Sequence, residues 1–195
     1  MYNPTLEKHV EQLQIVFEIL RSQSLLAKRS KCVFGSSQVE YLGHVITKSG
    51  VATDPLKIQA IINWPFPRNI KQLRGFLGLT GYYRRFVKGY GAICKPLTQL
   101  LKKDSYKWNE EATIAFEHLK QAMTNLPVLA LPDMTKLFVI ETDASGTGVG
   151  AVLMQEGHPI AFLSKALGPR QQALSAYERE MFAILQAVAK WKHYL

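Results

Sequence analysis

Two acidic residues and one cationic stripe are where this sequence can do chemistry. Asp143 stands where a run of strand formers, 137–142, gives way to Ser145-Gly146-Thr147-Gly148. Aspartate is depleted from strand interiors and common at such junctions, so turn formation is its ordinary role. Glu180 lies in Tyr177-Glu178-Arg179-Glu180, one turn before Ile184 and at the edge of an apolar helix face. A carboxylate held against apolar surface must be hydrogen-bonded, protonated or neutralised by a metal ion. The stripe is Lys71, Arg74, Gly78, Gly81, Arg85 and Lys88, spaced 3-4-3-4-3 within 70–88. That spacing keeps all six on one side of a helix. Glycine costs about 1 kcal/mol in a helix interior relative to alanine, so two on one stripe imply a close approach by something. A nucleic-acid backbone fits, with cations on phosphates and the glycine notch against sugar edges. The competing use is helix–helix packing through Gly75, Gly78 and Gly81.

The elements that must position these residues are legible in the same way. Asn69 caps the helix 70–88, whose opposite side gathers Leu73, Phe76, Leu77, Thr80, Tyr83 and Val87 as a core face. Strands are expected at 137–142, 149–155 and 159–164, joined by turn residues. Ser175 and Glu178 form a capping box that starts the last helix. That helix is expected to bury Met181, Ile184, Leu185, Val188 and Leu195 and to run to the end of the chain.

Upstream, Asn3-Pro4 reads as a cap and first helical position, followed by an amphipathic helix to about Ser22 through Leu6, Val10, Leu13, Phe17 and Leu20. Short β-like pieces follow at 24–27, 32–34 and 39–46, closed by Ser49-Gly50. Asp54-Pro55 begins a short helix at 57–63, and the prolines of 64–67 make a stiff connector. Another short helix is expected at 93–101. Asn109 caps a helix over 110–124 that opens on Glu110 and Glu111, as the macrodipole prefers. Pro127 and Pro132 mark 125–135 as a domain boundary.

Composition narrows the class. The 195 residues are 47% hydrophobic and 10% aromatic, which is globular rather than disordered. Two cysteines, Cys32 and Cys94, are too few for a disulfide framework, and no Cys/His set has zinc spacing. That usage implies a reducing, intracellular setting rather than secretion. No apolar run reaches the roughly 18–20 residues of a membrane span, so no membrane partner is expected. Net charge is +9, and 68–107 alone carries all of it, with ten Lys/Arg against Asp104. A field so localised points to a polyanionic partner.

The runs YLGHVITKSGV (41–51), DPLKIQAIINWPFP (54–67), LRGFLGLTGYYRRFV (73–87), KPLTQLL (95–101), WNEEATIAFEHLK (108–120), PVLALPD (127–133), TDASGTGVGAVLMQ (142–155) and YEREMFAILQAVAKWKHYL (177–195) resemble, in order and over essentially the whole chain, the Pol polyprotein of gypsy-type LTR retrotransposons. The resemblance implies an α+β chain in three parts. Residues 1–53 are similar to the end of a reverse transcriptase palm, 54–125 to the helical thumb and connection, and 126–195 to the first half of an RNase H-like domain with three antiparallel strands and one helix. It makes Leu42, Gly43 and His44 primer-grip-like, and the 70–88 helix a template–primer tracker with Arg74, Gly78 and Tyr82 on its contacting row. Asp143 and Glu180, the latter in an ExxAI context, resemble two of the RNase H catalytic and metal-binding acids, which work with Mg2+ or Mn2+.

The family's YxDD polymerase motif would precede Met1, and its remaining RNase H acids would follow Leu195, so weak metal binding and little catalysis are expected of these residues alone. The implied partners are RNA–DNA hybrid or duplex DNA and the rest of a Pol polyprotein. The implied location is a cytoplasmic virus-like particle or the nucleus. Three readings stand at this point: a polymerase/RNase H fragment that keeps nucleic-acid contacts, an enzyme that works only in a longer context, and a repurposed non-catalytic binding module.

Overall fold

The computed structural model describes residues 3, 5–102 and 105–195, in two compact units that divide between Val39 and Glu40. In the first unit, α1 (Leu6–Ser22) is capped by Thr5, whose hydroxyl accepts the Lys8 amide at 3.4 Å. The cap is therefore Thr5 rather than Asn3, while the expected Pro4 position lies outside the described residues. No residue of α1 is buried. The stretches 24–27 and 32–34 are not strands. A 3-10 turn, Arg29–Lys31, lies between them, and Ser24 takes φ 56, which an extended strand excludes.

The second unit begins within a small antiparallel sheet, ordered β1 (Gln38–Tyr41), β2 (His44–Thr47), β3 (Gly50–Thr53). Leu42 and Gly43 turn between β1 and β2 with φ 47 and 72, the paired left-handed geometry of a two-residue hairpin. Gly50 is forced as well. Val51 and Leu129 exchange backbone hydrogen bonds of 2.7 and 2.9 Å, and a Cβ on Gly50 would sit 2.2 Å from the Leu129 carbonyl oxygen.

Five helices follow: α2 (Pro55–Ile62), α3 (Ile70–Tyr82), α4 (Tyr90–Ile93), α5 (Lys95–Gln99) and α6 (Glu110–Thr124). Asp54, Asn69 and Asn109 cap α2, α3 and α6 through their side chains. Their shared core holds Ile61, Leu73, Phe76, Tyr83, Phe116 and Leu119, all fully buried. Helix α3 is six residues shorter than expected. It ends at Tyr82, and a 3-10 turn, Arg84–Phe86, carries the chain on. Phe86 and Val87 are buried in the same core as the helices. The expected helix at 93–101 is divided at Cys94, because Pro96 has no amide hydrogen with which to continue α4.

The last part is an antiparallel meander, β4 (Val139–Ala144), β5 (Gly148–Gln155) and β6 (His158–Ala166), followed by α7 (Pro169–Gln172) and α8 (Ala176–Trp191). Ser175 and Glu178 make the expected capping box. Helix α8 packs on β4 and β5 through Ala183, Ala187 and Trp191. The expected core residues are not the buried ones: Met181, Ile184, Leu185, Val188 and Leu195 are exposed. Two alanines one turn apart let the helix approach the sheet closely, which leaves the longer apolar side chains on the far flank. The helix also stops at Trp191 instead of running to Leu195. Gly91 joins this part to the helices. Its amide donates to the Ser164 hydroxyl at 3.0 Å, and a Cβ there would lie 3.0 Å from the Ser164 backbone. The architecture is α+β, as the sequence indicates. No helix among the described residues is long and apolar enough to cross a membrane.

Candidate nucleic-acid interface

Helix α3 separates its two faces cleanly. Leu73, Phe76 and Thr80 are buried on one, while Lys71, Arg74 and Gly78 are exposed on the other. The glycines divide between the two uses open to them. A Cβ on Gly75 would press the Trp64 ring at 3.3 Å, so that glycine serves packing, while one on Gly81 would meet the Tyr90 hydroxyl at an ordinary contact distance of 3.5 Å. A Cβ on Gly78 would meet nothing within 4 Å. Only Gly78 is an open notch, with Arg74 one turn before it.

The stripe does not continue as the sequence spacing implies. Arg85 lies beyond the helix, half-buried, and its Nη2 donates to the Ile160 carbonyl at 3.3 Å. Its guanidinium also lies 5.8 Å from the Phe86 ring centroid. Lys88 is exposed, but it stands on the rim of a separate cavity of about 420 Å³ with His118 and Gln121. Both corrections follow from the early end of α3. Of the remaining basic segment, Lys103 lies outside the described residues, as does Asp104.

What the sequence did not disclose is how the 42–44 turn is held. The Tyr82 hydroxyl donates to the Leu42 carbonyl, and the Tyr83 hydroxyl donates to the Gly43 carbonyl at 2.7 Å. The Asp54 amide adds a third bond, to the Gly43 carbonyl at 3.1 Å. His44 stacks on Tyr82 with centroids 5.3 Å apart and planes 15° from parallel, and it meets Tyr83 and Phe86 at 5.7 and 5.5 Å. Burial, and then the nearby Arg85 charge, hold His44 below the usual imidazole range. Its Nδ1 is buried with no hydrogen-bond partner. Burial likewise pushes the Tyr83 hydroxyl up to about 12, so it remains a donor at any ordinary pH. Leu42, Gly43 and His44 are thus fastened to the end of α3. The signal available in sequence was a pair of tyrosines at the end of a helix, which is too common to interpret alone.

The carboxylates are arranged differently. Asp143 is exposed and pairs with Gly150 across β4 and β5. Cross-strand partners share a face, and the row packed under α8 is Ile140/Leu153, Thr142/Ala151 and Ala144/Val149. Asp143 belongs to the alternate row, turned away from α8. Glu180 is exposed on α8, so the need to neutralise it against apolar surface disappears. Among the described residues no three His, Cys, Asp or Glu side chains gather as a metal set. Two exposed carboxylates, one on β4 and one on α8, are fewer ligands than a two-ion site requires.

Comparison with known proteins gives this geometry its context. Residues 108–195 match the RNase H-like domain found in reverse transcriptase. The whole chain is 42% identical to the retrovirus-related Pol polyprotein from transposon 297 of Drosophila melanogaster, of which it spans 19%. Over 67% of its length it is 54% identical to an uncharacterised mitochondrial protein of Arabidopsis thaliana, covering 84% of that protein. Among solved structures it resembles the foamy viral protease-reverse transcriptase in complex with RNA/DNA hybrid, at TM-score 0.88 and 26% identity, over 97% of this chain and 27% of that one. The same viral enzyme in complex with double-stranded DNA gives TM-score 0.89 and 25% identity, over 97% and 34%. The fold and the matched domain define a reverse transcriptase/RNase H-like chain. Its relatives include retrotransposon Pol polyproteins, such as that of transposon 297.

Proposed function

We propose that this chain is a gypsy-type Pol segment whose own task is to hold an RNA–DNA hybrid or duplex DNA, without sequence preference, along the exposed side of α3. The observation that carries this reading is the open surface at Gly78 on the exposed face of α3, with Arg74 and Lys71 exposed on the same face. The Leu42–His44 turn, fastened to the end of the same helix, would sit against the strand end. The similar foamy viral enzyme is described in complex with RNA/DNA hybrid, which supports the choice of ligand.

Polymerisation is not assigned to these residues, since none of the four aspartates, Asp54, Asp104, Asp133 and Asp143, has an acidic neighbour in sequence. Asp143 and Glu180 would supply two ligands toward Mg2+ or Mn2+ only with further acids and substrate phosphate. Such a segment would act inside a polyprotein, in a cytoplasmic particle or the nucleus. The alternative, a repurposed non-catalytic binding module, draws on the Arabidopsis relative, most of which this chain covers.

Phosphate contacts release counterions, so log K should fall with log salt by about 0.9 per phosphate neutralised on B-DNA. Fluorescence anisotropy across a salt series tests the reading. The Lys71→Ala/Arg74→Ala pair should flatten the slope by about two units. An unchanged slope would remove α3 from the interface.

A further inference from the structure

We propose that the cavity beside the end of α6 is a binding site for a small planar heteroaromatic anion, a flat ring with a polar edge and one carboxylate or phosphate group. The cavity has a volume of about 420 Å³ and lies where Phe162 of β6 packs against the helical core. That volume is within the usual range of small-molecule sites, roughly 300–1,000 Å³. None of Lys71, Arg74 and Gly78 lines it, so the site is separate from the exposed side of α3. Its lining is layered. Phe86 and Val87 are buried, and Leu126, Pro127 and Phe162 are half-buried, which makes the inner surface apolar with two aromatic rings. Lys88, His118, Gln121 and Asn125 are exposed around them. An apolar interior edged by a few polar groups both holds a ligand and orients it.

Those four polar side chains contribute no bond to the fold. Among the described residues, none of them makes a hydrogen bond, an ion pair or a ring contact. Lys88 is therefore a cation without a paired counter-charge, and no Asp or Glu among the described residues lines the cavity. The local field selects an anion. Gln121 and Asn125 stand four residues apart at the end of α6, and each primary amide offers donors and an acceptor. That pairing matches the mixed edge of a heteroaromatic ring rather than an alkyl chain, while Phe86 and Phe162 supply apolar surface for the ring itself. The cavity adjoins the C-terminal, negative end of the α6 dipole, which opposes an anion. Binding of one consequently depends on Lys88.

The test is amide NMR of the full chain titrated with indole-2-carboxylate and with adenosine 5′-monophosphate, beside their uncharged counterparts indole-2-carboxamide and adenosine. At least one anion should give saturable shifts centred on Val87, Lys88, His118, Asn125 and Phe162. It should bind about tenfold more tightly than its uncharged counterpart, the scale of one charge-assisted hydrogen bond. Saturation by the carboxylate alone assigns a carboxylate ligand, by the nucleotide alone a phosphate ligand, and by both the shared anion chemistry. Lys88→Met keeps most of the side-chain stem, so it should remove the tenfold advantage while the uncharged ring binds as before. Gln121→Ala, at an exposed position whose side chain has no partner among the described residues, should weaken both forms several-fold. Lys107→Met, in the same basic segment but outside the cavity, should change nothing. Three results would overturn the site: no saturable shifts there with either anion, uncharged rings binding as tightly as the anions, or Lys88→Met and Lys107→Met behaving alike. Each of them leaves hybrid binding along α3 untouched, since the salt slope tests that surface separately.

Discussion

Replacing Gly78 separates an open interface from a packing contact by opposite signs. In a helix interior, Gly→Ala gains about 1 kcal/mol of propensity. At position 78 the new methyl meets no atom within 4 Å, so nothing opposes that gain. For a unit of this size, 1 kcal/mol corresponds to a rise in Tm of about 2–4 °C, measurable by thermal circular dichroism with urea denaturation as a check. Gly91→Ala provides the contrast. Its Cβ would lie 3.0 Å from the Ser164 backbone, and such overpacking typically costs about 1–3 kcal/mol. The same site then tests function. Gly78→Leu changes no charge and fills the notch, so it should bind hybrid several-fold more weakly while folding at least as stably as wild type. A lower Tm for Gly78→Ala would mean that the helix face is covered rather than open. Normal hybrid binding by Gly78→Leu would remove the notch from the interface.

Arg85→Ala should leave the salt slope of hybrid binding unchanged and cost on the order of 1 kcal/mol of stability, because its guanidinium serves the Ile160 carbonyl; a slope flattened by one unit would return Arg85 to the phosphate surface. His44 is held neutral in the fold below its unfolded pKa, so its contribution is present above about pH 6.5 and is lost as pH falls through the lowered value. Melts over that range should show stability dropping with acid in wild type and less so in His44→Phe; parallel curves would sink the assignment. Strand β4 is at the sheet edge, with Leu137 and Val139 exposed beside it. Its amides should therefore exchange faster than those of α3 and α6 in a verified monomer, and equal protection would count against that view.

Local chemistry was legible wherever one residue decides the outcome. Asn69, Asn109 and the Ser175/Glu178 box start their helices as read, and the core face of α3 is the buried one. The reading failed where distant packing decides. Periodicity carried α3 through Arg85 and Lys88, but the helix ends at Tyr82 and a 3-10 turn carries the chain through Arg84–Phe86, with Phe86 and Val87 in the core. In α8 the apolar arc is wider than the contact it makes, and the sheet accepts the alanines rather than the large residues. At the site itself, the cations Lys71 and Arg74 and the Gly78 notch could be read from spacing. The two tyrosine hydroxyls on the 42–43 carbonyls could not, since forty residues separate each donor from its acceptor.

The measurement that bears most directly on the interface is amide NMR of the full chain titrated with a short RNA–DNA hybrid. Shifts should concentrate at Lys71, Arg74, Gly78 and Tyr82 and spread into the Leu42–His44 turn through its tyrosine bonds, fading as salt is raised. Shifts confined to β4 and α8, or to residues before Val39, with the α3 surface silent, would contradict the account.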